Sequence, residues 1–316
     1  MNPVAPAPPV KDFLSILDLQ TDGLTRLLDE AARLKAERRL ADEAPTANAL
    51  RGAHVGMLFE KPSLRTRSTF EVAVRELGGY PLDLPAQYAD GSREPLEDVA
   101  RNLERWIKAV VVRTYAHEKL ATFAAATPAL HVINALSDQE HPCQALADMM
   151  TMREHWGSGR GRTLAYVGDG NNVAASLAHA APQLGISVHI ATPAGYQLPG
   201  RVIDDAMSGA TGGAKVRTFT DPREAVTGVD AVYTDVWTSM GKEIEAAKRR
   251  RLFRPYQVNS ALMAAAAPGA LFMHCLPAHR GEEVSAEVFE SPASVVFDQA
   301  ENRLHTQKAL LLMLLA

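Results

Sequence analysis

The stretch AHVGMLFEKPSLRTRSTFEVAVREL, residues 53–77, decides how the chain is expected to fold. Its first seven residues form the apolar run that is typical of a buried strand. Phe70, Val74 and Leu77 then recur at helical spacing, and the pattern stops directly before Gly78. The polar segment between these two runs carries two arginines. This stretch therefore predicts a strand, a functional loop and a helix in succession.

The same alternation of apolar runs and helical patterns continues along the chain. Because the runs are rich in Val, Ile, Leu and Ala, they suit parallel strands that are buried on both faces. We therefore predict an α/β protein. The further candidate strands are 109–113, 132–135, 164–167, 188–191, 231–236 and 270–275, and the further helices are 145–156 and 173–184. Residues 157–162, rich in Gly, Ser and Arg, predict a boundary between two domains.

Composition narrows the classes of function. The 316 residues are 47% hydrophobic, which allows two buried cores. A net charge of -4 gives no strong field for nucleic acid or an anionic membrane, and no apolar run is long enough to span a bilayer. The two cysteines, Cys143 and Cys275, lack the number for a disulfide framework and the spacing of a zinc site. We expect a globular protein of a reducing cytoplasm.

The loop at 61–67 has the character of an anion site. Ser63 is a natural helix N-cap, which places Arg65 and Arg67 in or beside the first helical turn. A cation is unfavourable there unless an anion binds, because the helix dipole is already positive. Backbone N–H groups, hydroxyls and guanidinium groups together predict a phosphate site. The alternative is a solvated helix start whose arginines pair with Glu60 and Glu71.

A second polar motif, His141-Pro142-Cys143-Gln144, precedes a helical pattern. Pro142 fits the first helical position, so that His141 and Gln144 would lie at the mouth of the helix. Both side chains can donate hydrogen bonds to one polarised oxygen. A purely structural cap is the alternative.

Three further motifs follow candidate strands in the second half of the chain. They are Asp235-Val-Trp-Thr-Ser-Met-Gly241, His274-Cys-Leu-Pro-Ala278 and the turn Gly168-Asp-Gly-Asn-Asn172. The carboxyl ends of parallel strands are where α/β sheets bind ligands. The turn at 168–172 stops after two glycines, so that the dinucleotide-binding pattern is incomplete and a nucleotide-dependent dehydrogenase is the weaker hypothesis.

Together these motifs resemble the aspartate/ornithine carbamoyltransferase family. The resemblance covers residues from about 14 to 315 and includes Glu301-Asn302-Arg303. It implies two doubly wound parallel-sheet α/β domains linked by helices. Residues 1–150 would bind carbamoyl phosphate and be joined by a C-terminal helix at about 300–316, and residues 151–299 would bind ornithine.

The resemblance also implies roles for single residues. The implied catalytic residues are Arg113, His141, Asp235, Cys275 and Arg303. The implied carbamoyl phosphate ligands are Ser63, Leu64, Arg65, Thr66, Arg113, His141, Gln144, Cys275, Leu276 and Arg303. The implied ornithine ligands are Asn172, Asp235, Ser239 and Met240. In the family the bond that corresponds to Leu276–Pro277 is cis. Neither a metal nor a cofactor is expected.

The expected reaction transfers the carbamoyl group to the side-chain amine of ornithine, which gives citrulline and phosphate in arginine biosynthesis. Acylated ornithine, putrescine or another diamino acid are alternative acceptors, and a non-catalytic binding subunit is a further alternative. The family implies a homotrimer or a multiple of trimers. One loop departs from the family: residues 89–94 read Ala-Asp-Gly-Ser-Arg-Glu where Gln-Leu-Gly-x-x-Glu is usual, and Gln87 or Arg93 could replace the missing Gln.

Overall fold

The computed structural model describes residues 10–88, 91, 93–238 and 243–316. Nine strands within this part of the chain form two separate sheets, and every strand pair is parallel. The first sheet has the order β2-β1-β3-β4 and the second has the order β7-β6-β5-β8-β9. The strands are β1 His54–Phe59, β2 Tyr80–Leu84, β3 Ala109–Arg113, β4 His131–Leu136, β5 Thr163–Val167, β6 Ser187–Ala191, β7 Val216–Phe219, β8 Ala231–Thr234 and β9 Leu271–His274. The predicted α/β class is confirmed.

Helices connect the strands and cover both sheets. In order they are α1 Gln20–Glu37, α2 Leu64–Glu76, α3 Leu96–Glu104, α4 His117–Ala126, α5 Pro142–Trp156, α6 Asn172–Ala180, α7 Gly200–Ser208, α8 Pro222–Val226, α9 Ala246–Phe253, α10 Ser260–Met263, α11 Ala286–Phe289 and α12 Val296–Leu315. No helix among the described residues combines the length and the apolar character that crossing a membrane requires.

Two edge strands were not among the predicted ones. β2 and β7 lie at the outer edges of their sheets; none of their nine residues is buried and five are exposed. An edge strand has a solvated face and can carry polar residues, and β2 even contains Pro81. Such a strand lacks the continuous apolar run that identified the central strands. By contrast, five of the six residues of β1 are buried.

Polar side chains set the boundaries of two elements. α2 begins at Leu64, which confirms the predicted N-cap, because Ser63 accepts a hydrogen bond from the Thr66 N–H. β8 ends at Thr234 rather than at 236, and the Asp235 carboxylate accepts the hydrogen bond of the Val236 N–H. Both boundaries place polar groups at the ends of strands or helices.

The last helix, α12, packs against α1, α2 and α5, which all precede the second sheet in the chain. Its buried face is unusually polar and includes Gln299, Asn302, Arg303, His305 and Lys308. Buried polar groups require hydrogen-bond partners, so this helix is a source of directed contacts as well as of packing. Through this packing, α12 places polar side chains next to helices from the first half of the chain.

Candidate active site

The candidate residues gather in one cavity of about 360 Å³. They come from the last residue of β3, from segments that follow β1, β4, β8 and β9, and from the start of α6 and the body of α12. Predicted residues that line it are Ser63, Leu64, Arg65, Thr66, Arg113, His141, Asn172, Asp235, Cys275, Leu276 and Arg303. The carboxyl ends of strands from both sheets therefore face a common space, as is usual for ligand sites in α/β sheets.

The loop before α2 forms one wall of this cavity. Within the described part of the chain no carboxylate pairs with Arg65. Glu60 instead accepts hydrogen bonds from the Thr114 hydroxyl at 2.5 Å and from the Tyr115 N–H at 3.0 Å. Arg67 lies outside the lining, where it binds Asp83 and stacks on Phe59. The alternative pairing of both arginines with Glu60 and Glu71 is therefore not what the structure shows.

Two more arginines approach the same wall. Arg303 is 2% exposed, and its guanidinium donates to Thr66 Oγ1 at 3.0 Å and to Gln144 Oε1 at 2.7 Å. The Nε atoms of Arg113 and Arg303 are buried and have no protein partner among the described residues. Buried donors without partners cost free energy. A ligand with several acceptor oxygens would satisfy them.

Burial and mutual repulsion make these cations ready to bind an anion. Burial, and then the charges of Arg303 and Arg65, lower the pKa of Arg113 to about 10. Burial likewise lowers the pKa of Arg65 and of Arg303. At neutral pH all three remain charged, so the cavity wall concentrates positive charge in a poorly solvated place. A phosphate group would relieve both the repulsion and the desolvation.

His141 completes this wall as the residue before α5. Its backbone N–H donates to the Ser176 hydroxyl at 2.9 Å, which fixes the residue against α6. Burial, followed by the charges of Arg303 and Arg113, holds the pKa of His141 well below its ordinary value. The imidazole is therefore neutral at pH 7. A neutral imidazole can donate one hydrogen bond to a developing oxyanion without protonating it.

Gln144 lies one layer behind the cavity rather than in its lining. Its side-chain oxygen accepts from Arg303, and its amide nitrogen donates to Asp148 at 2.8 Å. Both ends of the carboxamide are thus engaged by protein groups. In this structure Gln144 contacts the site through Arg303.

The opposite wall carries the acidic group. Asp235 is 7% exposed, and its carboxylate accepts hydrogen bonds from Asn171 Nδ2 at 2.7 Å and from Cys275 Sγ at 3.0 Å. Burial, followed by the charge of Asp235, raises the pKa of Cys275 well above its ordinary value. Cys275 is therefore a thiol at neutral pH. It acts here as a hydrogen-bond donor and not as a nucleophilic thiolate.

Leu276 and Asn172 close the cavity. Leu276 has a φ of 60°, in the left-handed region, and its N–H donates to His274 Nδ1 at 2.8 Å. The Leu276–Pro277 bond is cis. Asn172 begins α6 and donates to the Ser137 carbonyl at 2.6 Å. Ser239 and Met240 lie outside the described residues, as do Ala89, Asp90 and Ser92 of the loop that departs from the family.

Sequence reasoning missed a buried layer of polar residues behind the site. Asp148, Tyr233 and Gln299 are buried, and the Tyr233 hydroxyl and the Gln299 amide each donate a hydrogen bond to Asp148. Lys61, which was also missed, lines the cavity beside Arg65. Asp148 could have been found from the sequence. It lies four residues after Gln144 on one predicted helix, a spacing at which the two side chains meet.

Asp235, His274 and Cys275 together offer the kinds of side chain that bind metal ions. Ligand atoms of Asp235, His274 and Cys275 lie within 4.8 Å of one another. Two of these groups already bind each other, because the thiol donates to the carboxylate, and His274 Nδ1 accepts from Leu276. A metal would have to displace these bonds and the thiol proton.

Comparison with known proteins gives a consistent match over the whole chain. The family described as "Aspartate/ornithine carbamoyltransferase, carbamoyl-P binding domain" matches residues 11–154, and its "Asp/Orn binding domain" matches residues 160–314. The ornithine carbamoyltransferase of Acidothermus cellulolyticus is 51% identical over 97% of both chains. That of Methanospirillum hungatei is 48% identical over 97% of this chain and 99% of its own.

Solved structures agree with the sequence relatives. The ornithine carbamoyltransferase from Pyrococcus furiosus superposes with a TM-score of 0.91 at 46% identity, over 96% of each chain. That from Thermus thermophilus gives 0.87 at 44% identity, over 98% of this chain and all of its own. With both domain families matched in order along the chain, the protein belongs to the aspartate/ornithine carbamoyltransferase family.

Proposed function

We propose that the protein transfers the carbamoyl group of carbamoyl phosphate to the side-chain amine of L-ornithine, giving L-citrulline and phosphate. One observation carries the proposal: the buried Arg303, the partly buried Arg65 and Arg113 and a neutral histidine face a buried carboxylate across a single cavity. One wall suits a phosphorylated donor and the other suits an amine. The similar proteins from Acidothermus and Pyrococcus bear the name ornithine carbamoyltransferase.

The donor half follows from charge and geometry. Arg65 and the N-terminal N–H groups of α2 would bind the phosphate, since a helix start and a guanidinium both favour an anion. Arg113, Arg303 and His141 would then surround the carbamoyl oxygen, where negative charge develops as the amine attacks. Phosphate is a good leaving group, so positioning and electrostatic stabilisation can supply the catalysis without a covalent intermediate.

The acceptor half follows from Asp235 and its neighbours. An alkylammonium with a pKa near 10.4 must lose a proton before it can attack. Asp235 and Cys275 would orient the amine towards the carbamoyl carbon, and Asn172 would contact the amino-acid end. The proposed ornithine ligands Ser239 and Met240 follow Asp235 by four and five residues in the sequence. The departing phosphate is an available acceptor for the proton.

Wider features of the protein are part of the proposal. The structure supports a carbamoyl phosphate domain at residues 1–150, joined by the helix at about 300–316, because α12 packs on α1, α2 and α5. The ornithine domain would then be residues 151–299. We further propose a homotrimer or a multiple of trimers, a cytoplasmic location and a place in arginine biosynthesis, by likeness to the family.

The test is a side-by-side assay of ureido product. Purified protein is supplied with carbamoyl phosphate and, in turn, with ornithine, acetylornithine, putrescine, lysine and aspartate. Citrulline formation with ornithine as the preferred acceptor is expected. Preference for another amine would overturn the acceptor alone. Absence of product from every amine would overturn carbamoyl transfer and favour the binding-subunit alternative, whereas quenching of nicotinamide fluorescence would favour the dehydrogenase.

A further inference from the structure

A buried polar layer joins the two walls of the cavity, and Asp148 is at its centre. Asp148 is 0% exposed. Its Oδ1 accepts hydrogen bonds from Gln144 Nε2 and Gln299 Nε2, each at 2.8 Å, and its Oδ2 accepts from the Tyr233 hydroxyl at 3.2 Å. An ionised carboxylate can accept all three of these hydrogen bonds at once. The arrangement therefore suits the charged form of Asp148.

From Asp148 the contacts run towards the phosphate wall. Because the amide nitrogen of Gln144 is held by Asp148, its oxygen is directed at Arg303 Nη1, at 2.7 Å. Arg303 Nη2 in turn donates to Thr66 Oγ1, in the first turn of α2. These bonds leave Arg303 Nε, which is buried in the lining, free for a ligand. The orientation of Arg303 thus depends on which way the Gln144 carboxamide is turned.

From Asp148 the contacts also run towards the amine wall. Gln299 donates to Asp148, and its oxygen accepts the His274 N–H at 3.0 Å, one residue before Cys275. Tyr233 lies in β8, two residues before Asp235. One buried carboxylate is therefore linked to α5, α12 and the second sheet.

We propose that Asp148 is a positioning residue of the carbamoyl phosphate site: its carboxylate holds Gln144 and, through Gln144, holds Arg303 in the orientation that binds the donor. This inference rests on the proposed function, since it concerns how the same cavity binds carbamoyl phosphate. Gln144 then connects the carboxylate of Asp148 to the guanidinium of Arg303. These contacts, Asp148–Gln144–Arg303, are called the relay below.

The charge of this carboxylate makes the relay sensitive to pH. Burial raises the pKa of Asp148 to about 6, against the opposing effect of its bonds from Gln299, Gln144 and Tyr233. The other titratable groups facing it are Tyr233 of β8, Arg303 of α12 and Cys275 after β9. None of these three changes its protonation between pH 5 and 8, given their shifts.

Protonation of Asp148 would disturb the relay in two ways. A proton on Oδ1 must itself be donated, which turns the carboxamide of Gln144 or Gln299 and brings an NH₂ group towards Arg303 or the His274 N–H. A proton on either oxygen also removes the charge that strengthens these bonds and balances Arg303. Donor binding should therefore weaken as pH falls through about 6.

The test measures binding of phosphonoacetamide, a stable analogue of carbamoyl phosphate, by titration calorimetry between pH 5 and 8.5. The proteins are the full-length wild type, Asp148→Asn, Tyr233→Phe and, as a matched carboxyl control on an exposed site, Asp298→Asn. Comparing the variants with wild type at each pH cancels the titration of the ligand itself.

The ratio of the dissociation constant of Asp148→Asn to that of wild type is expected to change with pH. Asp148→Asn should bind at least about tenfold more weakly than wild type at pH 8, a loss of order one charge-assisted bond. At pH 5 only about a tenth of Asp148 is ionised, so the wild type should lose nearly all of this advantage. Asp298→Asn should follow wild type throughout. A variant-to-wild-type ratio that stays constant from pH 5 to 8.5 would overturn the inference.

Tyr233→Phe keeps the proposal testable if Asp148→Asn does not fold. Loss of one donor to the carboxylate should raise its pKa, moving the inflexion in affinity upwards by roughly half a unit to one unit. An inflexion that does not move would show that it belongs to another group and would overturn the inference. A wild type that does not bind the analogue at pH 8 would instead overturn the proposed function itself.

Discussion

Different residues of the cavity are proposed to bind the two substrates. Arg65 lies on the wall formed by α2, whereas Cys275 lies beside Asp235 on the other wall. Substitutions should therefore affect donor binding and turnover separately. Two predictions follow from this division.

Replacing Arg65 by Ala should weaken carbamoyl phosphate binding by about 10- to 100-fold, the loss of a charge-assisted hydrogen bond. The ornithine KM should change much less. Arg67→Ala is the matched control, because Arg67 lies two residues away but binds Asp83 and does not line the cavity. Steady-state kinetics for both substrates test this, and equal losses for donor and acceptor would contradict the assignment of Arg65.

Cys275→Ser should lower kcat by at least about tenfold while leaving donor affinity within a few-fold of wild type. Because a serine hydroxyl is smaller than a thiol, it should contact the Asp235 carboxylate less closely. The amine would then be oriented less well towards the carbamoyl carbon. The measurements are kcat under saturating substrates and the Kd of phosphonoacetamide. An unchanged kcat would remove Cys275 from the mechanism.

At the scale of elements, turns between strands and helices set the positions of the polar groups. Gly170 is the clearest case, because a Cβ there would lie 2.5 Å from the Tyr196 carbonyl oxygen and 2.7 Å from the backbone of Gln197 and Leu198. Only a residue without a side chain lets the turn after β5 pass so close to this segment. Asn171 and Asn172 follow directly, so their placement depends on that approach.

Gly170→Ala should therefore move Asn171 away from Asp235 and raise the ornithine KM by about tenfold or more, because Asp235, the proposed amine ligand, would lose the hydrogen bond that positions it. Gly200→Ala is the control, since a Cβ at Gly200 meets nothing within 4 Å. Both variants are compared in the citrulline assay and by thermal melting. A Gly170→Ala protein with wild-type ornithine kinetics would show that the turn does not position the acceptor.

How much of each element could be predicted depended on burial. The central strands were recognisable because continuous apolar runs mark strands that are covered on both faces. β2 and β7 were not, because an exposed edge strand has little pattern of its own. The start of α2 followed from the chemistry of Ser63 rather than from periodicity.

The candidate site was predictable where its residues form local motifs. The motifs around Arg65, His141, Asp235 and Cys275 were recognised in sequence, and the structure brings all four into one cavity. The layer behind it was not, because Asp148, Tyr233 and Gln299 meet only after both sheets and α12 have packed. Long-range pairings of this kind leave no periodic trace in the sequence.

At the scale of the whole molecule, the polar face of α12 couples stability to pH. His305 is 0% exposed, and burial lowers its pKa to about 4 against the opposing effect of Glu301. The folded protein therefore holds His305 neutral, whereas the unfolded chain protonates it near its ordinary value of 6.5. The free energy of unfolding should accordingly fall as pH decreases from 6.5 to 4 and lose no more from this group below that.

His305→Gln should flatten this part of the pH dependence, because Gln cannot bind the proton that favours unfolding. His155→Gln is the control, since His155 is partly exposed beside Asp298. Melting temperatures of the three proteins between pH 4 and 7 provide the test. If wild type and His305→Gln lose the same number of degrees over this range, His305 does not contribute to acid sensitivity.

The position of α12 has a consequence for the order in which the enzyme is made. Arg303 belongs to α12, yet it lies against Thr66 and Gln144 from the first half of the chain. During synthesis the first sheet and α2 can fold long before this arginine leaves the ribosome. The donor pocket of a growing chain therefore lacks one of its three arginines and the polar face that supports it. Carbamoyl transfer therefore requires that synthesis has passed α12, so nascent chains that stop short of this helix would not consume the reactive donor.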